Sequence, residues 1–321
     1  HAPLMMGGAG MTLRGNVWCG AALTGLAASL EIGANHPQIT YYFLVAMAAF
    51  WISEGILSFR EGRLRDFSLR TAALVAAGIL AVGSNFSPLW YTLQHTKDTI
   101  RGGSELAVDA DGAAGSGLDL EYATAWSYGP AETWNLLIPD FMGGDSMRSF
   151  ASDGEVAEAL REYGLSDLAG QLPAYWGDQP FTAGPTYLGA VAVFLALLGC
   201  LLARGRDKWW AIAATVLAVL LAWGRHFMPF TELFFNYLPG YDKFRTVSMI
   251  LVVAEWTVPL LGAVGLMYLW RNREEDRARL RRALRWSLGV AGGLCLLFAV
   301  AGPALFDFGR QAAEEQMTAT F

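Results

Sequence analysis

Seven apolar stretches, separated by loops whose charges sort by location, constrain this chain more than anything else in its sequence. They are residues 17–33, 39–59, 71–90, 186–203, 209–223, 247–270 and 286–306. A helix of about 20 mainly apolar residues crosses the hydrocarbon core of a bilayer, where every backbone N–H and C=O must be satisfied inside the segment. The first and fifth stretches are short and need flanking residues to span. Residues 1–13 read as the tail of an earlier span, so the sequence is expected to be an internal fragment of a longer membrane protein. No succession of ten-residue alternating strands occurs, which argues against a β-barrel. The expected fold is all-α: a polytopic bundle of about seven full spans, forming one membrane domain over residues 1–321.

Composition agrees with this pattern. The chain is 54% hydrophobic and 16% charged, with a net charge of -6. So apolar a chain is not disordered, and its acidic balance supplies no field to draw nucleic acid. Membrane lipids are the expected partners, not nucleic acid. Cys19, Cys200 and Cys295 each lie in an apolar run. They read as small hydrophobes, with no disulfide framework or metal site among them.

Lysine and arginine orient the spans. Arg14 precedes the first span. Arg60, Arg63, Arg65 and Arg70 lie between the second and third, and Arg204, Arg206 and Lys208 between the fourth and fifth. Arg271, Arg273, Arg277, Arg279, Arg281, Arg282 and Arg285 lie between the sixth and seventh. These alternate loops hold 15 of the 23 cations and 6 of the 29 acids, whereas the opposite loops hold 8 cations and 20 acids. The basic side therefore reads as cytoplasmic. Trp90, Trp223, Trp270 and Trp286 sit at span ends, as interfacial anchors do.

On the opposite side, residues 91–185 are too long for a turn. They carry 15 acids against Lys97, Arg101, Arg148 and Arg161. Pro130-Ala131-Glu132 opens a helix expected to run to Ile138. Ser152-x-x-Glu155 is a capping box ahead of Val156, Ala159 and Leu160. Residues 107–117 are rich in Gly, Ala and Asp. Trp126, Tyr128, Trp134, Tyr175 and Trp176 suit either the core of a mostly helical extracytoplasmic lid or a platform for sugar rings.

Several motifs resemble the YfhO family of bacterial membrane proteins. They are Glu31-x-x-x-Asn35-His36-x-Gln38-Ile39-Thr40-Tyr41-Tyr42, Gly83-x-Asn85-Phe86, residues 99–106 (Thr-Ile-Arg-Gly-Gly-Ser-Glu-Leu), and Ala125-Trp126-Ser127-Tyr128-Gly129. Ile138-Pro139-x-Phe141-x-Gly143-Gly144 and residues 238–246 (Leu-Pro-Gly-Tyr-Asp-Lys-Phe-Arg-Thr) complete the set. The resemblance implies a polytopic fold related to the GT-C glycosyltransferases, in a bacterial inner membrane. It implies an enzyme that takes a sugar from a polyprenyl-phosphate carrier and modifies a cell-envelope polymer at the outer face. The acidic catalytic motif of GT-C enzymes usually lies in the first outer loop. That places the catalytic base outside this fragment, and no catalytic residue is assigned. No cofactor and no metal are expected.

That chemistry needs cations or N–H donors for the phosphate leaving group. Asp242-Lys243-Phe244-Arg245 is the best candidate clamp. Arg225 follows the fifth span, and Lys97 and Arg101, with His95, follow the third on a helical continuation. Of the three acids within spans, Glu31 lies one turn before Asn35. With His36 and Gln38 these form an expected compact polar cluster for substrate. Glu54 reads as a structural partner of an arginine. Glu255, one turn before Pro259, suits a local polar pocket. Asp140 and Asp145 together offer oxygen ligands for a divalent cation. The intramembrane acids also suit a transporter or flippase of envelope precursors, and the outer segment suits the docking face of a non-catalytic assembly partner.

Overall fold

A computed structural model describes residues 1–96, 118–148, 150, 154–161, 164, 170, 172–203, 207–272 and 277–305. Helices follow in the order α1 (Ala2–Arg14), α2 (Val17–Gly33), α3 (Pro37–Arg60), α4 (Leu64–Ser84), α5 (Phe86–Thr96), α6 (Leu120–Thr124) and α7 (Glu155–Arg161). They continue with α8 (Ala190–Leu202), α9 (Asp207–Ala222), α10 (Met228–Tyr237), α11 (Val252–Asn272) and α12 (Arg277–Leu305). Short 3-10 turns lie at Ala131–Leu136, Gly224–Phe227, Tyr241–Lys243 and Val247–Leu251. The described residues contain no strand, only one isolated bridge between Phe141 and Gly143.

The chain is a helical, membrane-type bundle. Pro37–Arg60, Leu64–Ser84, Val247–Arg271 and Arg277–Gly302 are long and apolar enough to cross a bilayer, which marks a multi-pass membrane protein. α2 and α8 are apolar but shorter. Residues Lys208–Ala222 and Gly224–Tyr237 would together make one more span, but they are bent by 107° against each other. The stretch at 71–90 is not one helix, because α4 stops at Ser84 and α5 restarts at Phe86. Pro88 is the cause: its ring clashes with the carbonyl four residues back, which is that of Ser84.

Packing divides the chain into two compact units. One contains His1–Thr124, Arg204–Ala222 and Met228–Thr257; the other contains Ala125–Ala203, Trp223–Phe227 and Val258–Phe321. In the first unit, α1 and α2 approach through glycine. A Cβ on Gly8 would meet Thr24 Oγ1 at 2.6 Å, and one on Gly20 would run into the backbone nitrogen of Thr12. The hydroxyls at this seam are satisfied within their own helices, Thr12 donating to Gly8 O at 2.9 Å and Thr24 to Gly20 O at 2.8 Å. Such small-residue seams let dispersion replace the absent hydrophobic drive between helices in lipid. Arg70 then bonds the carbonyls of Thr12 (2.8 Å) and Gly15 (2.9 Å), which the end of α1 would otherwise leave unpaired. Ala2, Met5, Ala27 and Phe43 form a buried cluster, with Val252 and Trp256 packed against it.

In the second unit, α8 and α11 make a similar close approach. A Cβ on Gly199 would collide with the carbonyl of Leu261. Leu198, Leu202, Leu280 and Ala283 join α8 to α12. Arg279 donates to the carbonyls of Leu201 (3.2 Å) and Leu202 (3.1 Å), which close α8. The rings of Trp134 and Phe141 lie 4.7 and 5.2 Å from that of Phe298 on α12. Within residues 118–188 the helix expected from Pro130 to Ile138 is instead a 3-10 turn, Ala131–Leu136, and α7 is a short helix that begins at Glu155. The capping-box serine Ser152 and residues 107–117 lie outside the described residues.

Candidate functional site

Two segments about 200 residues apart in sequence meet in the first unit. α3 starts after a tight turn in which Asn35 takes φ 56°, Pro37 fills the first helical position, and His36 Nδ1 accepts the amide of Ile39 at 3.4 Å. That start fixes Gln38 on the first turn. Its buried amide reaches Tyr42 Oη at 3.0 Å, the carbonyl of Thr246 at 3.2 Å and, closest, the carbonyl of Arg245. Tyr41 Oη donates to Pro239 O at 3.0 Å, and its ring lies 5.2 Å from that of Phe244.

The loop 238–246 can take this path because Gly240 has φ 81° and Thr246 has φ 64°. The first is ordinary for glycine. The second is uncommon for a β-branched residue and marks a position held by its surroundings. Leu118 N donates to Asp242 O at 3.0 Å, which ties in the start of α6. Lys243 Nζ lies 2.8 Å from Asp242 Oδ2. The Arg245 guanidinium is exposed, bonds Tyr122 Oη at 2.8 Å and sits 5.9 Å from the centre of that ring. Two cations, two residues apart, are therefore carried on a loop anchored by a buried amide.

The expected cluster of Glu31, Asn35, His36 and Gln38 does not form. No hydrogen bond joins any of the four to another: Glu31 is buried on α2 with Oε2 3.5 Å from the backbone nitrogen of His1, Asn35 and His36 are exposed, and Gln38 turns to the 238–246 loop. The left-handed step at Asn35 is the reason, since it sends the two helix ends toward different neighbours. Glu54 has its arginine, with Arg14 Nη2 at 2.8 Å. Glu255 is exposed on α11. Lys97 and Arg101 lie outside the described residues, and the His95 ring lies tilted against that of Tyr91, with centres 4.2 Å apart. Asp140 and Asp145 do not converge: Asp140 lies 3.5 Å from Arg148 Nη1, and Asp145 accepts the amide of Met147 at 2.7 Å. Among the described residues no group of three or more His, Cys, Asp or Glu is placed to hold a metal.

The second unit holds a polar node that sequence reasoning passed over. Glu132 is wholly buried. Its Oε1 accepts from Asp178 N (2.8 Å), Tyr175 Oη (3.0 Å) and Gly129 N (3.2 Å), and its Oε2 from Gln179 Nε2 (3.0 Å). Burial pushes its carboxyl above the usual glutamate range, while these four bonds pull it back. Tyr175 is also buried, and its phenol is pushed upward by burial and by the adjacent Glu132 charge. Around the node, Arg225 Nη2 donates to Asp178 O at 2.7 Å, Arg225 N donates to Ser127 Oγ at 2.8 Å, and His226 Nε2 lies 3.6 Å from Asp178 Oδ2. Arg225 is exposed and ties the 178 segment to the residues around Ser127. Tyr128 and Tyr175 are core residues, whereas Trp126 is half-exposed and pairs edge-on with Phe181 at 5.2 Å. The one signal in sequence is a lone acid next to the aromatic run 126–128; three of its four partners lie more than 40 residues on, at no spacing that could be read.

Comparison with protein-family models, with curated proteins and with solved structures finds no match to this chain.

Proposed function

We propose that this chain is the membrane part of a bacterial glycosyltransferase-like enzyme of GT-C type, which takes a sugar from a polyprenyl-phosphate carrier and transfers it to a cell-envelope acceptor. The observation that carries the reading is the anchoring of the 238–246 loop by Gln38 and Tyr41, which presents Lys243 and Arg245. Those two segments are among the motifs that resemble the YfhO family. In this reading the two cations hold the departing phosphate. Negative charge grows there as the glycosidic C–O bond breaks, so fixed cations lower the barrier more than they tighten ground-state binding. Asp242, paired with Lys243, limits where that ammonium can reach. The prenyl chain would use a groove of about 380 Å³ between α2 and α4, lined by Trp18, Ala21, Gly25, Ala77, Leu80 and Ala81 among others.

The same reading counts α2, α3, α4, α8, α9, α11 and α12 as seven spans, with the arginine-rich loops on the cytoplasmic side of the inner membrane. Residues 91–185 would form a lid over the outer face. The transport alternative draws on intramembrane acids, but Glu54 is bonded to Arg14 and so acts as a structural ion pair.

The test is to reconstitute the protein in nanodiscs, offer a panel of polyprenyl-phosphate sugars with envelope-polymer acceptors, and follow release of free polyprenyl phosphate. Acceptor-dependent release that is lost in Arg245→Ala and Lys243→Ala, with unchanged melting, is the expected result. Full release in both variants would remove the clamp. No release with any donor, together with proton-gradient-driven accumulation in sealed vesicles, would replace the enzyme by a transporter.

A further inference from the structure

At the start of α12, one face of the helix carries a recess of about 600 Å³ lined by Ala278, Arg281, Arg282, Arg285, Trp286 and Gly289. Their spacing of three, four and seven residues places them together on one side. The inward side of the same helix is set by Leu280, Ala283, Ser287 and Ala291, all buried. Arg279, which leans inward, is consumed by the carbonyls that end α8. Arg281, Arg282 and Arg285 are exposed, and no carboxylate among the described residues lies within 4 Å of them. Residues 271–285 carry seven arginines against Glu274, Glu275 and Asp276 in sequence, so the segment keeps four positive charges in excess.

The recess lies at the start of a candidate membrane span, Arg277–Gly302, in which only 17% of the apolar window is buried. Past the arginines the helix exposes Leu288, Leu296 and Val300, with relative accessibilities of 61%, 66% and 77%. Trp286, itself exposed, stands at the join, where an indole prefers the headgroup level. Small residues at Ala278 and Gly289 leave the room that makes the recess. At the start of the helix is a cluster of exposed guanidinium forks suited to a phosphate. Further along is an apolar helix face suited to acyl chains.

We propose that this arginine-lined recess binds the phosphate headgroup of an anionic phospholipid, whose chains lie along the exposed face of α12. The site is independent of any sugar transfer. It differs from a general basic surface in requiring Arg281, Arg282 and Arg285 together.

The full chain in nanodiscs of phosphatidylcholine with a minor fraction of phosphatidylglycerol provides the assay, with retained phosphatidylglycerol counted by native mass spectrometry. Arg281→Gln/Arg282→Gln/Arg285→Gln should weaken retention by at least about a hundredfold, because charge-assisted hydrogen bonds to one phosphate are lost together. Arg271→Gln/Arg277→Gln, which removes charge outside the recess, should stay within a factor of a few. The three recess arginines are exposed and have no carboxylate partner among the described residues, so the triple variant should melt as the wild type does. Equal retention in the triple variant would overturn the proposal. So would an equal loss in the double variant, which would reduce the effect to net charge. Complete displacement by excess inorganic phosphate would overturn it too, because the recess would then be a site for the free anion.

Discussion

The α1–α4 layer and the segment 118–188 are held together by opposite means. In the first, most backbone bonds close within each helix and the tightest approach is of small surfaces, as where Gly20 meets Thr12, with side-chain bonds such as Arg14–Glu54 and Arg70 to Thr12 O added between helices. In the second, little regular helix forms, and one buried carboxylate, Glu132, gathers chain from residues 129, 175, 178 and 179. The difference teaches where specificity resides. A bilayer enforces helices without regard to partner and leaves shape to select the neighbour. A segment that must fold outside the helices selects its partners by hydrogen bonds, at the cost of burying a charge.

That contrast predicts unequal responses. The largest is at Glu132. Replacing it by Ala strands four donors in a buried site and should cost about 3–5 kcal/mol. Hydrogen exchange should rise over residues 125–148 and 172–188 while α1–α4 remain protected. Equal protection everywhere would break the comparison. Gly20→Ala comes next, since the added Cβ meets backbone and not a movable side chain; about 1–3 kcal/mol is expected for such overpacking. Unfolding in mixed micelles should show it, with protection lost at α1 and α2 first.

A smaller effect should appear in pH dependence. Burial raises the Glu132 carboxyl above its unfolded value, so ionisation disfavours the folded state. The contribution is therefore fully present below the ordinary glutamate range and is lost as pH rises through the folded value. Melting of the wild type should improve on mild acidification toward that range, and Glu132→Gln should flatten the slope. A slope of opposite sign would mean that the four hydrogen bonds outweigh desolvation.

The same contrast explains what the sequence could reveal. The apolar stretches locate helices because membrane-length runs need no information beyond themselves, and the Arg14–Glu54 pair was legible as an acid too deep to stand alone. The break at Asn85 is invisible to hydropathy, which does not register the clash of the Pro88 ring with the carbonyl of Ser84. Proximity in sequence points Gln38 toward Glu31, whereas in the structure it bonds a loop about 200 residues away. Glu132 reads locally as a helix opener, since nothing near it in sequence announces Tyr175 and Gln179. Short-range periodicity was readable and long-range hydrogen bonding was not.

The central claim is that Gln38 holds the 238–246 loop in a phosphate-binding form, and its most direct test is the affinity of Gln38→Ala for polyprenyl phosphate in nanodiscs. Arg245 and Lys243 remain in this variant, and one lost amide should cost only about 1–2 kcal/mol of stability. Binding weakened at least about tenfold, near 1.4 kcal/mol, with melting close to that of the wild type, is the predicted result. Wild-type affinity in Gln38→Ala would contradict the account, because the anchored loop would then have no part in holding the phosphate.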